Sequence, residues 1–91
     1  MVKIILSSVI ATAANGAREH TVSATSLREA LDQLFATHGD TLRNRIIDDS
    51  GNLRKLLSIY VNGRNTRFLN QLDTKLSQDD EVAILPSVSG G

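Results

Sequence analysis

Asp79-Asp80-Glu81-Val82-Ala83-Ile84-Leu85-Pro86-Ser87-Val88-Ser89-Gly90-Gly91 decides the fold. An acidic turn leads into a short apolar strand, and Pro86, which has no amide hydrogen to give a ladder, marks its end. Alternation places Val82 and Ile84 on one face of the strand and Ala83 and Leu85 on the other. The first pair is expected to face a helix, leaving Leu85, together with Tyr60, on an open face where an apolar patch would suit a partner. Beyond the proline, Ser87, Val88, Ser89, Gly90 and Gly91 are expected to form an extended tail with a reach of roughly 17 Å. A glycine end passes through channels too narrow for a Cβ. Taken alone, two glycines favour a terminus of no consequence.

Working back from this strand, Leu56 to Val61 reads as another strand, and Asn62-Gly63 is a strong two-residue hairpin signal. Arg64 to Phe68 is expected to return beside it, and Leu69, Leu72 and Leu76 punctuate a polar connection. Ser26 followed by Glu29 makes a capping box. Leu27, Ala30, Leu31, Leu34 and Phe35 then share one helical face until Gly39, which predicts a helix over 27–38. Leu27, Leu31, Leu34 and Phe35 are expected to be core rather than a partner stripe. Asp40 is read as the cap of a short turn through Leu42 and Ile46-Ile47, closing at Asp48 to Asn52. Upstream, Val2 to Ile10 and Arg18 to Ala24 read as the strands of a hairpin whose loop contains Asn15-Gly16. The expected order is strand, strand, helix, strand, short strand, strand. One helix across one face of a mixed sheet satisfies the two-layer rule and is the α+β order of the β-grasp, or ubiquitin-like, architecture, with the last strand inside the sheet.

The 91 residues allow one domain that buries roughly 60 to 65% of its unfolded surface, expected as a body over 1–86 and a tail over 87–91. Cysteine is absent, which removes disulfides, thiolate nucleophiles and cysteine metal sites and suits a cytoplasmic chain. Ten Lys and Arg balance ten Asp and Glu, so no overall field draws the chain to nucleic acid or to an acidic membrane. The start, Met1 to Leu6, carries one lysine and an apolar run broken by Ser7-Ser8, too short for a signal peptide. No run approaches the length of a membrane span.

Other chemistry is weaker. His20 and His38 have no companion ligands at metal spacing, and Asp48-Asp49 and Asp79-Asp80-Glu81 fall in turns where aspartate bonds nearby amides. Arg43, Arg45, Arg54 and Lys55 lack interleaved aromatics and read as a solvated surface. Arg64 and Arg67 flank the hairpin and are candidates for contact with a partner's acidic rim.

The run Ile59-Tyr60-Val61-Asn62-Gly63, with Arg67-Phe68, Leu72, Leu76, the strand from Asp79 to Pro86 and the tail Ser87 to Gly91, resembles the ThiS/MoaD group of ubiquitin-like sulfur carriers. The likeness is concentrated in the second half and is closest to the CysO-like and MoaD-like branches; the chain is long for the ThiS branch. The resemblance implies a carrier rather than an enzyme. A ubiquitin-activating-type adenylyltransferase and sulfurtransferase would use ATP and a sulfur source to turn the Gly91 carboxylate into a thiocarboxylate. A sulfur-acceptor synthase would then consume it in making cysteine, molybdopterin or another metabolite. Neither a bound cofactor nor a metal is implied. The alternatives are a modifier joined through Gly91 to lysines and a binding subunit with an inert tail.

Overall fold

A computed structural model describes residues 1–86; the tail read over 87–91 lies outside the described residues. Eight elements follow one another: β1 (Val2–Leu6), α1 (Ser8–Ala11), β2 (Glu19–Val22), α2 (Leu27–His38), α3 (Asp40–Ile46), β3 (Leu57–Val61), β4 (Arg64–Asn65) and β5 (Glu81–Pro86). Single 3₁₀ turns fall at Thr12–Ala14, Thr66–Phe68 and Gln71–Asp73. The five strands form one mixed sheet in the order β2-β1-β5-β3-β4. Strand β5 runs parallel to β1 and antiparallel to β3, which makes it the central strand.

Strand alternation builds the core. Ile4 and Leu6 of β1 sit opposite Val82 and Ile84 of β5, and these face Val61 and Ile59 of β3; all six are buried. Leu27, Ala30, Leu31 and Leu34 of α2 cover them, and Leu42 and Ile46 of α3 extend the same cluster. Each Leu or Ile side chain so enclosed contributes about 1.5–3 kcal/mol. Helix α2 starts where the sequence says. Ser26 Oγ accepts from the Glu29 amide at 3.2 Å, and the Glu29 carboxylate reaches back to the Thr25 amide at 3.2 Å. That is the reciprocal capping box displaced by one residue. Gly39, at φ 77, ends the helix as its amide donates to the Phe35 carbonyl at 2.6 Å.

Three boundaries differ from the sequence reading, two of them because a polar side chain redirects the chain. The first strand stops at Leu6 rather than Ile10, because Ser7 Oγ accepts from the Ile10 amide at 3.3 Å and caps α1. The hairpin itself is present: β1 and β2 pair antiparallel, with Asn15 and Gly16 both at positive φ. Asp40 is not a cap but the first residue of a seven-residue helix that buries Leu42 and Ile46, with Gly39 in the cap position. The return strand expected over Arg64 to Phe68 is only Arg64–Asn65, because Asn65 Oδ1 accepts from the Arg67 amide at 2.9 Å and starts a 3₁₀ turn. The turn between β3 and β4 is as read, with φ of 51 at Asn62 and 85 at Gly63, the left-handed pair that a type I′ hairpin requires.

Candidate functional site

Strand β5 carries the chain out of the core. Its partner β1 ends at Leu6, opposite Ile84. Beyond that point Leu85 and Pro86 pair only with Ser58 and Leu57 of β3. The last described residue therefore stands on one flank of the sheet, where a residue without an amide hydrogen costs no ladder bond.

The face of the sheet away from the helices holds Ala83 and Leu85 of β5, Tyr60 and Ser58 of β3 and Ile5 of β1, by the register of the ladders. Leu85 is 38% exposed; Ile5, Ala83 and Tyr60 are half-buried. The structure thus brings Tyr60 and Leu85 onto one apolar face, as alternation requires. Its margin toward β2 is charged, with Lys3 and Glu19 forming an ion pair at 3.5 Å. Arg64 and Arg67 do not join this face. Arg64 lies opposite Val61 and is exposed, and Arg67 sits in the following 3₁₀ turn, its guanidinium donating to the Lys55 carbonyl at 3.5 Å. Gly91, Gly90, Ser89, Val88 and Ser87 lie outside the described residues.

The acidic turn before β5 is a clasp. Asp80 Oδ2 accepts from the Ser77 amide at 2.8 Å and Oδ1 from Asn62 Nδ2 at 2.9 Å. Asn62 Oδ1 in turn accepts from the Glu81 amide at 2.9 Å. The Ser77 amide, and after it the Asn62 side chain, hold the Asp80 carboxyl below its usual value of 3.8, against a smaller opposing effect of burial. Two side chains thereby fix the hairpin tip against the start of the central strand. Asp48 works similarly, its Oδ1 accepting from the Ser50 and Asn52 amides at 2.9 and 3.1 Å. Both carboxylates close loops, the role that turn chemistry assigns them.

His20 and His38 meet edge to face with ring centroids 4.9 Å apart, and His20 Nε2 lies 2.8 Å from the Ala17 carbonyl. Among the described residues no three His, Cys, Asp or Glu side chains converge on a point that could hold a metal ion. No helix among them is long and apolar enough to cross a membrane. Sequence reasoning missed two exposed apolar side chains, Leu56 and Phe68, 71% and 83% exposed. The available signal was their position immediately after a cation, Lys55 and Arg67, in otherwise polar segments.

The ThiS family pattern matches residues 7–91. The sulfur carrier protein CysO of Mycobacterium tuberculosis is 37% identical over 82 residues, covering 81% of this chain and 88% of that protein. Its crystal structure superposes with a TM-score of 0.87 at 28% identity, covering 97% of this chain and all of that one. The small archaeal modifier protein 1 of Methanosarcina acetivorans superposes with a TM-score of 0.82 at 33% identity, covering 99% and 95% of the two chains. A protein of Archaeoglobus fulgidus that bears a sulfur-carrier name is 45% identical over 47 residues, or 52% of this chain. That alignment spans about half the length of the relative, 53%.

Proposed function

The chain belongs to the ThiS family, and we propose that it is a sulfur carrier that bears its cargo as a thiocarboxylate on Gly91. The observation that carries the reading is the ThiS family match, which runs through the central strand and the residues after it to position 91. The relation to CysO over most of both chains supports it, and the β-grasp body supplies the rest.

A carboxylate resists attack by a nucleophile because it already carries negative charge. A partner adenylyltransferase removes that obstacle: the Gly91 carboxylate attacks the α-phosphorus of ATP, pyrophosphate leaves, and an acyl-adenylate forms. Hydrosulfide, or a donor at the same oxidation level, then adds to the carbonyl carbon. AMP leaves with its oxygen, a proton is released, and the thiocarboxylate remains. Its sulfur is a soft nucleophile for a partner synthase. None of these steps asks this chain for an acid, a base or a metal, so the chain is a co-substrate of its partners rather than an enzyme. Residues 1–86 serve as the recognised body and 87–91 as the presented arm. Leu85 and Tyr60 belong to the face that a partner covers. The absence of cysteine suits the cytoplasm.

A second reading is conjugation of the same activated Gly91 to lysines of other proteins. The likeness to an archaeal modifier over nearly the whole chain favours it. One experiment separates the two. The protein is incubated with its adenylyltransferase, ATP and sulfide, and its intact mass is measured. A gain equal to exchange of one oxygen for sulfur supports carriage. Higher-mass conjugates in a cell extract, without that gain, support modification. Deleting Gly91 is expected to abolish either product while leaving the thermal transition in place, because the core among the described residues is already built from residues 2–84.

A further inference from the structure

On the helix side of the β3–β4 edge lies a groove of about 490 Å³ that no step of sulfur carriage uses. Its apolar floor is Leu53, Leu57 and Ile59, and three cations, Arg54, Lys55 and Arg67, stand around it. The local charge is far from the chain average. Residues 43–67 hold six of the ten Lys and Arg but only Asp48 and Asp49 among the ten acids, a net charge of +4 in a chain whose formal net charge is +0. Asp48, which also lines the groove, turns its carboxylate onto the amides of its own loop. Among the described residues the ion pairs are Lys3 with Glu19 and Arg28 with Asp73, so no carboxylate pairs with the groove's cations. Two of those cations are nonetheless held in place. Arg54 Nε donates to the Asn44 carbonyl at 2.6 Å, and Arg67 reaches the Lys55 carbonyl across the opening.

The backbone supplies a second observation. Among the described residues four non-glycine residues have positive φ, and three are Asn or Asp, which tolerate it. The fourth, Gln71 at φ 50, lines this groove. An unfavourable conformation retained beside a preformed hollow is where strain accompanies binding. The groove also lies beside the exit of the chain, since its floor residue Leu57 pairs with Pro86.

We propose that this groove docks an acidic segment of a partner protein that carries an apolar anchor: its carboxylates meet Arg54, Lys55 and Arg67, and its apolar side chain enters between Leu53, Leu57 and Ile59. A partner held there is tethered next to the last strand without covering the open sheet face. The alternative polyanion, single-stranded RNA, fits less well, because none of the described residues lining the groove is aromatic and stacking supplies much of such binding. The inference is independent of any reaction at Gly91.

The full chain, labelled with ¹⁵N, is titrated with a capped peptide of Asp and Glu flanking a single Leu. Saturable shifts confined to the amides of 53–57 and 65–71 support the proposal, as does severalfold weakening when salt rises from about 50 to about 500 mM. Lys55→Ala and Arg67→Ala should each raise the Kd about threefold, and Arg67→Lys should restore part of the loss. Lys3→Ala, which removes the same charge from the opposite face, should leave the Kd unchanged; the amide spectrum of each variant verifies that it is folded. The proposal is overturned by any of four results: no saturation at about millimolar peptide, equal binding of a peptide with Lys in place of its acids, shifts centred on the open sheet face, or tighter binding of an oligouridylate to the same amides.

Discussion

The Asn62–Asp80 clasp can be dismantled one bond at a time. Asp80→Ala removes two hydrogen bonds, those from the Ser77 amide and from Asn62 Nδ2. Asn62→Gly keeps a residue suited to φ 51 and also removes two, the shared bond to Asp80 and the one from the Glu81 amide. The double variant loses three bonds, not four. The main-chain bonds from the Lys3 amide to the Asp80 carbonyl and from the Asn62 amide to the Glu81 carbonyl, at 3.0 and 2.8 Å, survive in all variants. At roughly 0.5–1 kcal/mol for each bond near the surface, each single variant loses about 1–2 kcal/mol and the double about 1.5–3, leaving a coupling of about 0.5–1 kcal/mol. Against a total of about 5–14 kcal/mol for a chain of this length, this is measurable by urea denaturation with the slope held common. Strict additivity of the two variants would refute the shared bond.

Acid supplies an independent check of the same clasp. The folded Asp80 carboxyl sits below 3.8, so its contribution is present above about pH 4 and is lost as pH falls through the lower folded value. The Asp80→Asn variant should therefore lose less stability than the natural chain over that acid range.

Two further outcomes follow from single side chains. Thr74 is buried and its hydroxyl has no hydrogen-bond partner among the described residues, while its amide and carbonyl are engaged with Gln71 and Leu27; Thr74→Val should stabilise by about 1 kcal/mol and raise Tm by about 4–8 °C, and a fall in Tm would reveal a partner for the hydroxyl. Leu85→Asp, on the open sheet face, should cost about 1–2 kcal/mol of stability, leaving the chain folded, yet lower kcat/KM for activation of Gly91 about tenfold; unchanged kinetics would remove Leu85 from the partner surface.

The elements legible in the sequence are those with local, redundant signals. Helix α2 was announced by Ser26, Glu29 and Gly39 together with a full apolar face, and β5 by strict alternation closed by a proline. Tyr60 and Leu85 could be assigned to one face because a period of two needs only the strand boundaries. The helical turn at Ser8–Ala11 was hidden because four residues are too few to show a period, and Val9 and Ile10 favour a strand. The early stop of β4 depends on whether Asn65 bonds forward to Arg67 or lets the strand continue, a choice that packing decides. The groove was illegible for a different reason. Its walls are two loops on either side of the β3–β4 hairpin, and the cations that read as a solvated stretch gain meaning only when the fold sets Arg54 and Lys55 across from Arg67.

The central place of β5 also has a mechanical consequence. A pull on Pro86 along the strand axis loads the hydrogen bonds to β1 and β3 in shear, so they must yield together rather than peel away one after another. Forced unfolding is governed by the unfolding barrier rather than by equilibrium stability, and shear across two ladders raises that barrier. A pull on the chain beyond Pro86 would therefore extract β5 only when both ladders give way together.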